Sequence, residues 1–550
     1  EFRTATGRVR VTDSLNSGHA GRLPWSELAR RVEGLEGEVE LRVDVTLGTR
    51  FDQSERRDAV VPDDGAFQLG PILMQLRTSD DCAVVGGEQS DDAAESGDGA
   101  DDAGNDTERR ERPGDGVALR IQACEGSRST IALLASHAEP LMDSPIEAID
   151  VRIDRSDAQW RNWTDDLTYD GPFRSRVLRS ALALKLLLFS PTGAIAAAAT
   201  TSLPESLGGG GKNYDYRYAW IRDVAYSVKA LLRIGATEEA QAGFAWLIET
   251  LHRHLPHTDP LGVFYTLDGE LPGEETEIDL PGYRGERPVR MGNAARDQRQ
   301  LSCYGDVIET AELFTRSGNH LDARTREVLT TLTDRCYEEW RLPDAGIWEL
   351  EDEQHYTMSK IGCWLALDRG AKLCAEGHLD DGHGPRWAAE AERVVEWIDE
   401  HCWDEERRTY TQFAGSTQLD AALLLATRWA FPQRERMQGT LEAVRAELAT
   451  GPLVHRYSGM QEVEGAFLAT SFWLVEALAF LGHGGEARGT MEALLSVTGS
   501  NLGLMSEMVD VETGAFLGNT PQGLSHLAMI HAALAIQERG TGKDTDRGRA

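Results

Sequence analysis

Over the first ~170 residues the apolar positions recur every second residue. Val39, Leu41, Val43, Val45 and Leu47 interleave with Glu40, Arg42, Asp44 and Thr46, the pattern of a strand with one buried face. Val117, Leu119, Ile121 and Ala123 repeat it, and Ile149, Val151 and Ile153 read the same way. Such strands, separated by Gly and Asp turns, predict an antiparallel β-sandwich over residues 1–170. Between them Glu88 to Gly116 holds Asp, Glu, Gly, Ala and Ser without a large apolar residue. That composition cannot bury enough surface to order itself, which predicts a disordered acidic loop.

From about Arg174 the period changes to 3.6. Helical patterns run over 174–189, 222–235, 238–254, 301–317, 323–341, 357–373, 386–403, 417–430, 438–449, 466–481, 484–496 and 522–537. They form short-linked pairs, so residues 171–540 read as a helical array and 541–550 as a disordered tail. Longer loops interrupt the array at Ser202–Tyr216, Leu255–Gln300, Pro343–Tyr356 and Met505–Gly523. A closed ring of hairpins would bring these loops to one central pocket. The hairpins are not alike and show no repeat signature, which counts against an open solenoid. At 550 residues the chain is long enough for two or more cores. The fold class expected is multidomain α+β.

Charge narrows the partners. The formal net charge is −35, which argues against nucleic acid. No apolar run approaches the ~20 residues of a bilayer span. The lysines are confined to positions 185, 212, 229, 360, 372 and 543, so Arg carries nearly all the positive charge. An acidic surface with Arg in place of Lys resembles proteins of organisms that keep molar salt in the cytoplasm, where screening shortens to ~3 Å. The chain opens without a Met or a leader-like segment, so the expected location is a high-salt cytoplasm. Cysteines 82, 124, 303, 336, 363, 374 and 402 form neither a C-x-x-C pair nor a zinc spacing. Reduced buried thiols are expected, with no metal and no cofactor. Nothing in the pattern defines an oligomeric state.

The run Asn213-Tyr-Asp-Tyr-Arg-Tyr-Ala-Trp-Ile-Arg-Asp223 interleaves aromatics with acids and guanidinium groups. Flat rings with polar edges suit a pyranose, and an adjacent Arg-Asp pair can hold vicinal hydroxyls. The same residues also suit a plain helix start with Asp223 in its first turn. Two loop acids stand out by context. Glu349 follows Trp348 in Gly346-Ile-Trp-Glu, and Glu507 lies in Met505-Ser-Glu-Met-Val-Asp. Desolvation there would raise a carboxyl pKa, and glycosidic cleavage needs one carboxylic acid and one carboxylate. Glu351, Asp352 and Glu353 rival Glu349.

Several longer motifs carry a resemblance. They are Arg30-Arg-Val-Glu-Gly-Leu-Glu-Gly-Glu-Val-Glu, Ser180-Ala-Leu-Ala-Leu-Lys, Pro191-Thr-Gly-Ala-Ile, Thr200-Thr-Ser-Leu-Pro-Glu and Tyr214-Asp-Tyr-Arg-Tyr-Ala-Trp-Ile-Arg-Asp. Gly282-Tyr-Arg-Gly-Glu-Arg-Pro-Val-Arg-Met-Gly-Asn-Ala, Gly346-Ile-Trp-Glu and Gly518-Asn-Thr-Pro-Gln-Gly-Leu-Ser-His-Leu-Ala continue the series. In this order they resemble the bacterial and archaeal branch of glycoside hydrolase family 15, the glucoamylase family, which includes trehalases. The resemblance implies an N-terminal β-sandwich followed by an (α/α)6 barrel. It implies Glu349 as general acid and Glu507 as general base. Arg222 and Asp223 would clamp the non-reducing glucose, Tyr216 and Trp220 would form the aromatic wall, and Trp348 would be a further substrate-binding residue. Arg290, Asn293 and Lys360 lie in motifs beside the pocket, although Arg290 or Lys360 would serve equally as structural ion-pair partners.

The activity implied is inverting, exo-acting release of β-glucose from an α-glucan, with trehalose hydrolysis as the alternative. A phosphorylase and a non-catalytic sugar-binding protein are weaker rivals. The family's opening strands, with an Asp-Gly-Ser-Ile-Asp-Trp-type motif, have no counterpart, so either a shortened sandwich or a sequence that begins inside a longer chain is expected.

Overall fold

The computed structural model describes residues 1–18, 23, 25–46, 66–69, 72–85, 116–137, 140–200, 203–207 and 211–540. The acidic run 88–115, the segment 541–550 and Leu47 therefore lie outside the described residues. The chain divides into two compact units, Glu1–Asp165 and Asp166–Ala550.

The first unit is built from β1 (Phe2–Arg3), β2 (Gly7–Leu15), β3 (Ser26–Thr46), β4 (Ala66–Leu69), β5 (Ile72–Thr78), β6 (Cys82–Val85), β7 (Gly116–Cys124), β8 (Arg128–His137) and α1 (Ile146–Asp165). Every pairing among these strands is antiparallel. The long strand β3 serves two layers. Its first half pairs with β2 and β8, and its second half, Glu38–Thr46, pairs with β7. The change of partner falls at Gly34 and Gly37. A Cβ on Gly34 would lie 1.9 Å from the Cys124 carbonyl oxygen, and Gly37 has φ +63°, which only glycine adopts freely. The irregularity shifts the parity of the strand, so Val32 and Val39 enter one core with Val9, Leu119, Ile121 and Ile131. The sandwich read from the alternation is present.

One stretch departs from that reading. Ile149, Val151 and Ile153 belong to helix α1, not to a strand. Ile149 and Ile153 are four residues apart, share a helix face, and pack on Ala29, Ala132 and Leu134. Val151 points away and is 54% exposed. Arg31 on β3 holds the helix through Asp150 and Asp154, at 2.6 Å each.

The second unit contains α2 (Arg174–Leu187), α3 (Ile221–Ile234), α4 (Thr237–His254), α5 (Ser302–Arg316), α6 (Ala323–Glu339), α7 (Thr357–Ala375) and α8 (Gly384–His401). A 3₁₀ helix (Ala421–Thr427), α9 (Arg434–Leu448), α10 (Leu468–Leu481), α11 (Gly484–Val497) and α12 (Gly523–Gly540) follow. Helix α3 packs on α5, α5 on α7, α7 on the 3₁₀ helix, that on α10, α10 on α12, and α12 back on α3. The ring therefore closes. Outside it α4, α6, α8, α9, α11 and α2 lie against α3, α5, α7, the 3₁₀ helix, α10 and α12 respectively. This is an (α/α)6 barrel.

The difference between the rings is written in the side chains. Inner helix α10 is buried continuously from Leu468 to Ala479, as expected of a helix with neighbours on all sides. Outer helix α8 buries one stripe, Trp387, Ala391, Val394 and Ile398. Helices α5 and α7 touch backbone to backbone: a Cβ on Gly305 would sit 2.3 Å from the Gly362 carbonyl oxygen. The helix expected over 417–430 is the shorter 3₁₀ element. Asp420 caps it by accepting from the Ala422 amide at 2.8 Å, which stops the helix from starting earlier. Among the described residues no helix is long and apolar enough to cross a membrane. All seven thiols are unpaired, six buried and Cys124 exposed.

Candidate active site

The inner helices all enter the barrel from one end, and the segments just before their first turns carry the unusual residues. Trp220 caps α3, Trp348 and Glu349 precede α7, Arg456 and Phe467 precede α10, and Glu507 and Gln522 precede α12. Together with Tyr216, Arg222, Asp223, Ile347 and Trp473 they line one pocket, which encloses about 530 Å³ including its open mouth. Two short sheets hold these segments in place. Ala219–Trp220 pairs with Phe264–Tyr265. The strands Leu453–Val454, Ala466–Phe467, Met508–Val509 and Phe516–Leu517 form a ladder that sets Phe467 beside Met508. The Leu468 amide donates to the Glu507 carbonyl at 2.9 Å, fixing that residue's backbone.

Glu349 sits in a left-handed conformation, φ +58°, unusual for a residue with a side chain and a form of strain that collects at functional sites. Its Oε1 accepts from Trp220 Nε1 at 2.7 Å. Burial raises the carboxyl pKa, against the pull of Arg222 and the hydrogen bonds from Trp220 and Gln300. Glu507 is 3% exposed. Its Oε1 accepts from the Tyr216 hydroxyl at 3.0 Å and from Gln522 Nε2 at 3.3 Å. Its Oε2 has no protein partner among the described residues. Burial, then the charge of Glu205, pushes the Glu507 pKa well up, against Arg456 and Tyr216.

The Arg222 guanidinium is bound to Asp223 Oδ2 at 3.0 and 2.9 Å and donates to the Ile347 carbonyl at 3.0 Å. Burial opposes its charge, but Asp223 and Glu349 outweigh that and keep it protonated. Trp220 stacks on Phe264 with centroids 4.5 Å apart and meets Tyr216 edge-on at 5.5 Å. Trp348 packs edge-on to Phe467 at 5.5 Å, and its Nε1 donates to Asp420 at 2.9 Å. Burial lifts the Asp420 pKa to about 7.

Of the residues singled out from sequence, Tyr216, Trp220, Arg222, Asp223, Trp348, Glu349 and Glu507 meet in this pocket. Glu351, Asp352 and Glu353 are exposed and do not line it. Arg290, Asn293 and Lys360 do not line it either. Arg290 pairs with Glu275 at 3.2 Å and donates to the Gly211 carbonyl. Asn293 caps a 3₁₀ turn by accepting from the Ala295 amide. Lys360 is fully buried, and its ammonium donates to the Trp340 and Leu342 carbonyls at 2.6 Å each.

Sequence reasoning missed Arg456, Glu205 and Asp420. Arg456 lines the pocket with its guanidinium 5.5 Å from the Trp348 ring, and is anchored by Glu464. Glu205 ends the motif Thr200-Thr-Ser-Leu-Pro-Glu, and an acid closing such a motif was the available signal; the structure buries it.

The arrangement offers two buried carboxyls, a guanidinium–carboxylate clamp and aromatic walls in one cavity. A trehalase of Mycobacterium tuberculosis is 40% identical over 388 residues, 68% of this chain and 56% of that protein. A trehalase of Mycolicibacterium smegmatis is 38% identical over 428 residues, 76% of this chain and 63% of that protein. The chain thus spans less than two thirds of the length of either. A solved wild-type glycosidase, 18% identical, superposes with a TM-score of 0.52 over 66% of this chain and 96% of its own, which shows the fold. The profile of Glycosyl hydrolases family 15 matches residues 171–534, and the chain belongs to that family.

Proposed function

We propose that this protein hydrolyses an α-glucosidic bond with inversion, and that its substrate is trehalose in preference to a starch-type α-glucan. The observation that carries the reading is the single pocket in which Glu349 and Glu507 occur with the Arg222–Asp223 clamp. The order of substrates follows the relatives, which are named trehalase; the sequence reading had put the α-glucan first.

In this mechanism Arg222 and Asp223 hold the hydroxyls of one glucose while Tyr216, Trp220 and Trp348 close around its ring. Glu349 is the acid. Its Oε1 is occupied by the Trp220 indole, so the proton is carried on Oε2 and passes to the glycosidic oxygen as the C1–O bond breaks. Glu507 is the base, taking a proton from the water whose oxygen forms the new bond to C1. An inverting pair needs room for that water, a separation of ~6.5–9.5 Å.

The test is glucose release from trehalose, maltose, maltotetraose and isomaltose without phosphate, followed by NMR of the anomers. Inversion at one carbon of α,α-trehalose yields α- and β-glucose in equal initial amounts; a retaining route yields α-glucose alone. Release from maltotetraose but not trehalose would return the α-glucan to first place. Release from none of the four would refute the hydrolase.

A further inference from the structure

Behind the base lies a second buried acid that the hydrolytic mechanism does not use. Glu205 is 4% exposed, and its Oε1 lies 3.2 Å from the Tyr216 hydroxyl, which lies 3.0 Å from Glu507 Oε1. A phenol has a single proton to donate, so it serves one carboxylate at a time. Around this trio the charged groups are Arg456, Lys212 and Glu464; Glu349 also acts on the Tyr216 phenol, and as the proposed acid it is protonated. Arg456 Nη2 is 3.9 Å from Glu205 Oε2, and both Arg456 and Lys212 are ion-paired to Glu464. Gln522, also on Glu507, is neutral. Two cations against Glu464 leave one positive charge, enough to balance one further carboxylate and not two. Two like charges sharing such a site cannot both ionise freely.

We propose that Glu205 is a positioning residue for Glu507, the two being tied through the Tyr216 phenol so that the charge on Glu205 decides when Glu507 is free to accept a proton. The inference rests on Glu507 being the base of the proposed hydrolysis. Burial raises the Glu205 pKa as well, but Arg456, with Nη2 3.9 Å from its Oε2, and Lys212 oppose that rise, so Glu205 is the first of the pair to ionise. Glu507 then titrates beside an existing negative charge, with burial and that charge both acting to raise its pKa. Tyr216 stays protonated throughout, since burial and the neighbouring acids raise its pKa well above the ordinary value. The acidic limb of the pH profile, where the base becomes protonated, is consequently higher than an isolated Glu507 would give.

The test is kcat/KM for trehalose against pH in the wild type, Glu205→Gln and Glu205→Asp. Glu205→Gln removes the charge, and its acidic limb should move down by about one pH unit. Glu205→Asp keeps the charge, and its limb should stay near the wild type. A limb that does not move in Glu205→Gln, or a uniform loss of rate at every pH in both variants, overturns the proposal. Should Glu205→Gln not fold, the order of ionisation is read in Glu507→Gln. Infrared titration of the protonated-carboxyl band, as a difference from wild type, should leave Glu205 at the lower of the two wild-type steps and remove the upper one; a Glu205 band at the upper step overturns the proposal. Absence of any glucose release by the wild type, or an active Glu507→Gln, would instead defeat the hydrolase reading, and the infrared titration would still decide the order of ionisation.

Discussion

Trp220 Nε1 donates to Glu349 Oε1 at 2.7 Å across 129 residues of chain. The indole is itself fixed by stacking on Phe264, so the orientation of the Glu349 carboxyl derives from an aromatic pair at the start of α3. Trp220→Phe keeps the ring and removes the donor. Because that hydrogen bond favours the carboxylate, its loss raises the Glu349 pKa and keeps the acid protonated to higher pH. The alkaline limb of kcat/KM should move upward, with a rate loss of about tenfold from misplacement of the acid. An unmoved limb would show that the bond does not govern the acid.

Glu349→Gln and Glu507→Gln are near-isosteric, and each removes one of the two proposed proton-transfer groups. Either should lower kcat/KM by ~10²–10⁴-fold with the far-UV circular dichroism unchanged. Activity within a few-fold of wild type in one variant would dismiss that residue from its role.

Gly518 is a steric determinant of Glu507, the proposed base. A Cβ there would lie 2.5 Å from Glu507 Oε2 and 2.6 Å from its Cβ, and φ is +71°. Gly518→Ala should therefore displace Glu507, lowering kcat more than tenfold and stability by about 1–3 kcal/mol, read from steady-state kinetics and urea unfolding. Wild-type kinetics would mean that the turn shifts freely.

Lys360 separates a structural role from a binding one. Its ammonium satisfies the Trp340 and Leu342 carbonyls deep in the barrel. Lys360→Met leaves both carbonyls unpaired and should cost about 1–3 kcal/mol while kcat/KM per folded molecule stays within about threefold. A rise in KM without a stability loss would restore Lys360 to the substrate.

The net charge of −35 predicts a salt-dependent fold. Raising KCl from ~0.1 M to ~1 M shortens the screening length from about 10 to 3 Å, which relieves self-repulsion. The melting temperature should rise with KCl, and a flat or falling dependence would count against adaptation to molar salt.

Some of this was legible locally. The change of period near Arg174 marked the passage from sheet to helices, and the aromatic and glycine contexts of Glu349 and Glu507 marked them among many acids. Period alone misled at Ile149–Ile153, because three alternate apolar residues satisfy a strand while the first and third also share a helix face. It overextended 417–430, because the cap formed by Asp420 is decided by a single side-chain contact.

The sequence by itself determined the two structural classes and named Glu349 and Glu507 as candidates for acid–base work on a sugar. Periodicity and motif are local properties, carried by neighbours in the chain. Only the tertiary structure decided which of those residues meet. Closure of α12 on α3 brings Tyr216 to Glu507, 291 residues away. The same packing inserts Glu205 and Arg456 beside them and withdraws Lys360 to the carbonyls of the barrel wall. Burial and electrostatic coupling depend on distance in space, and that is set by the ring as a whole.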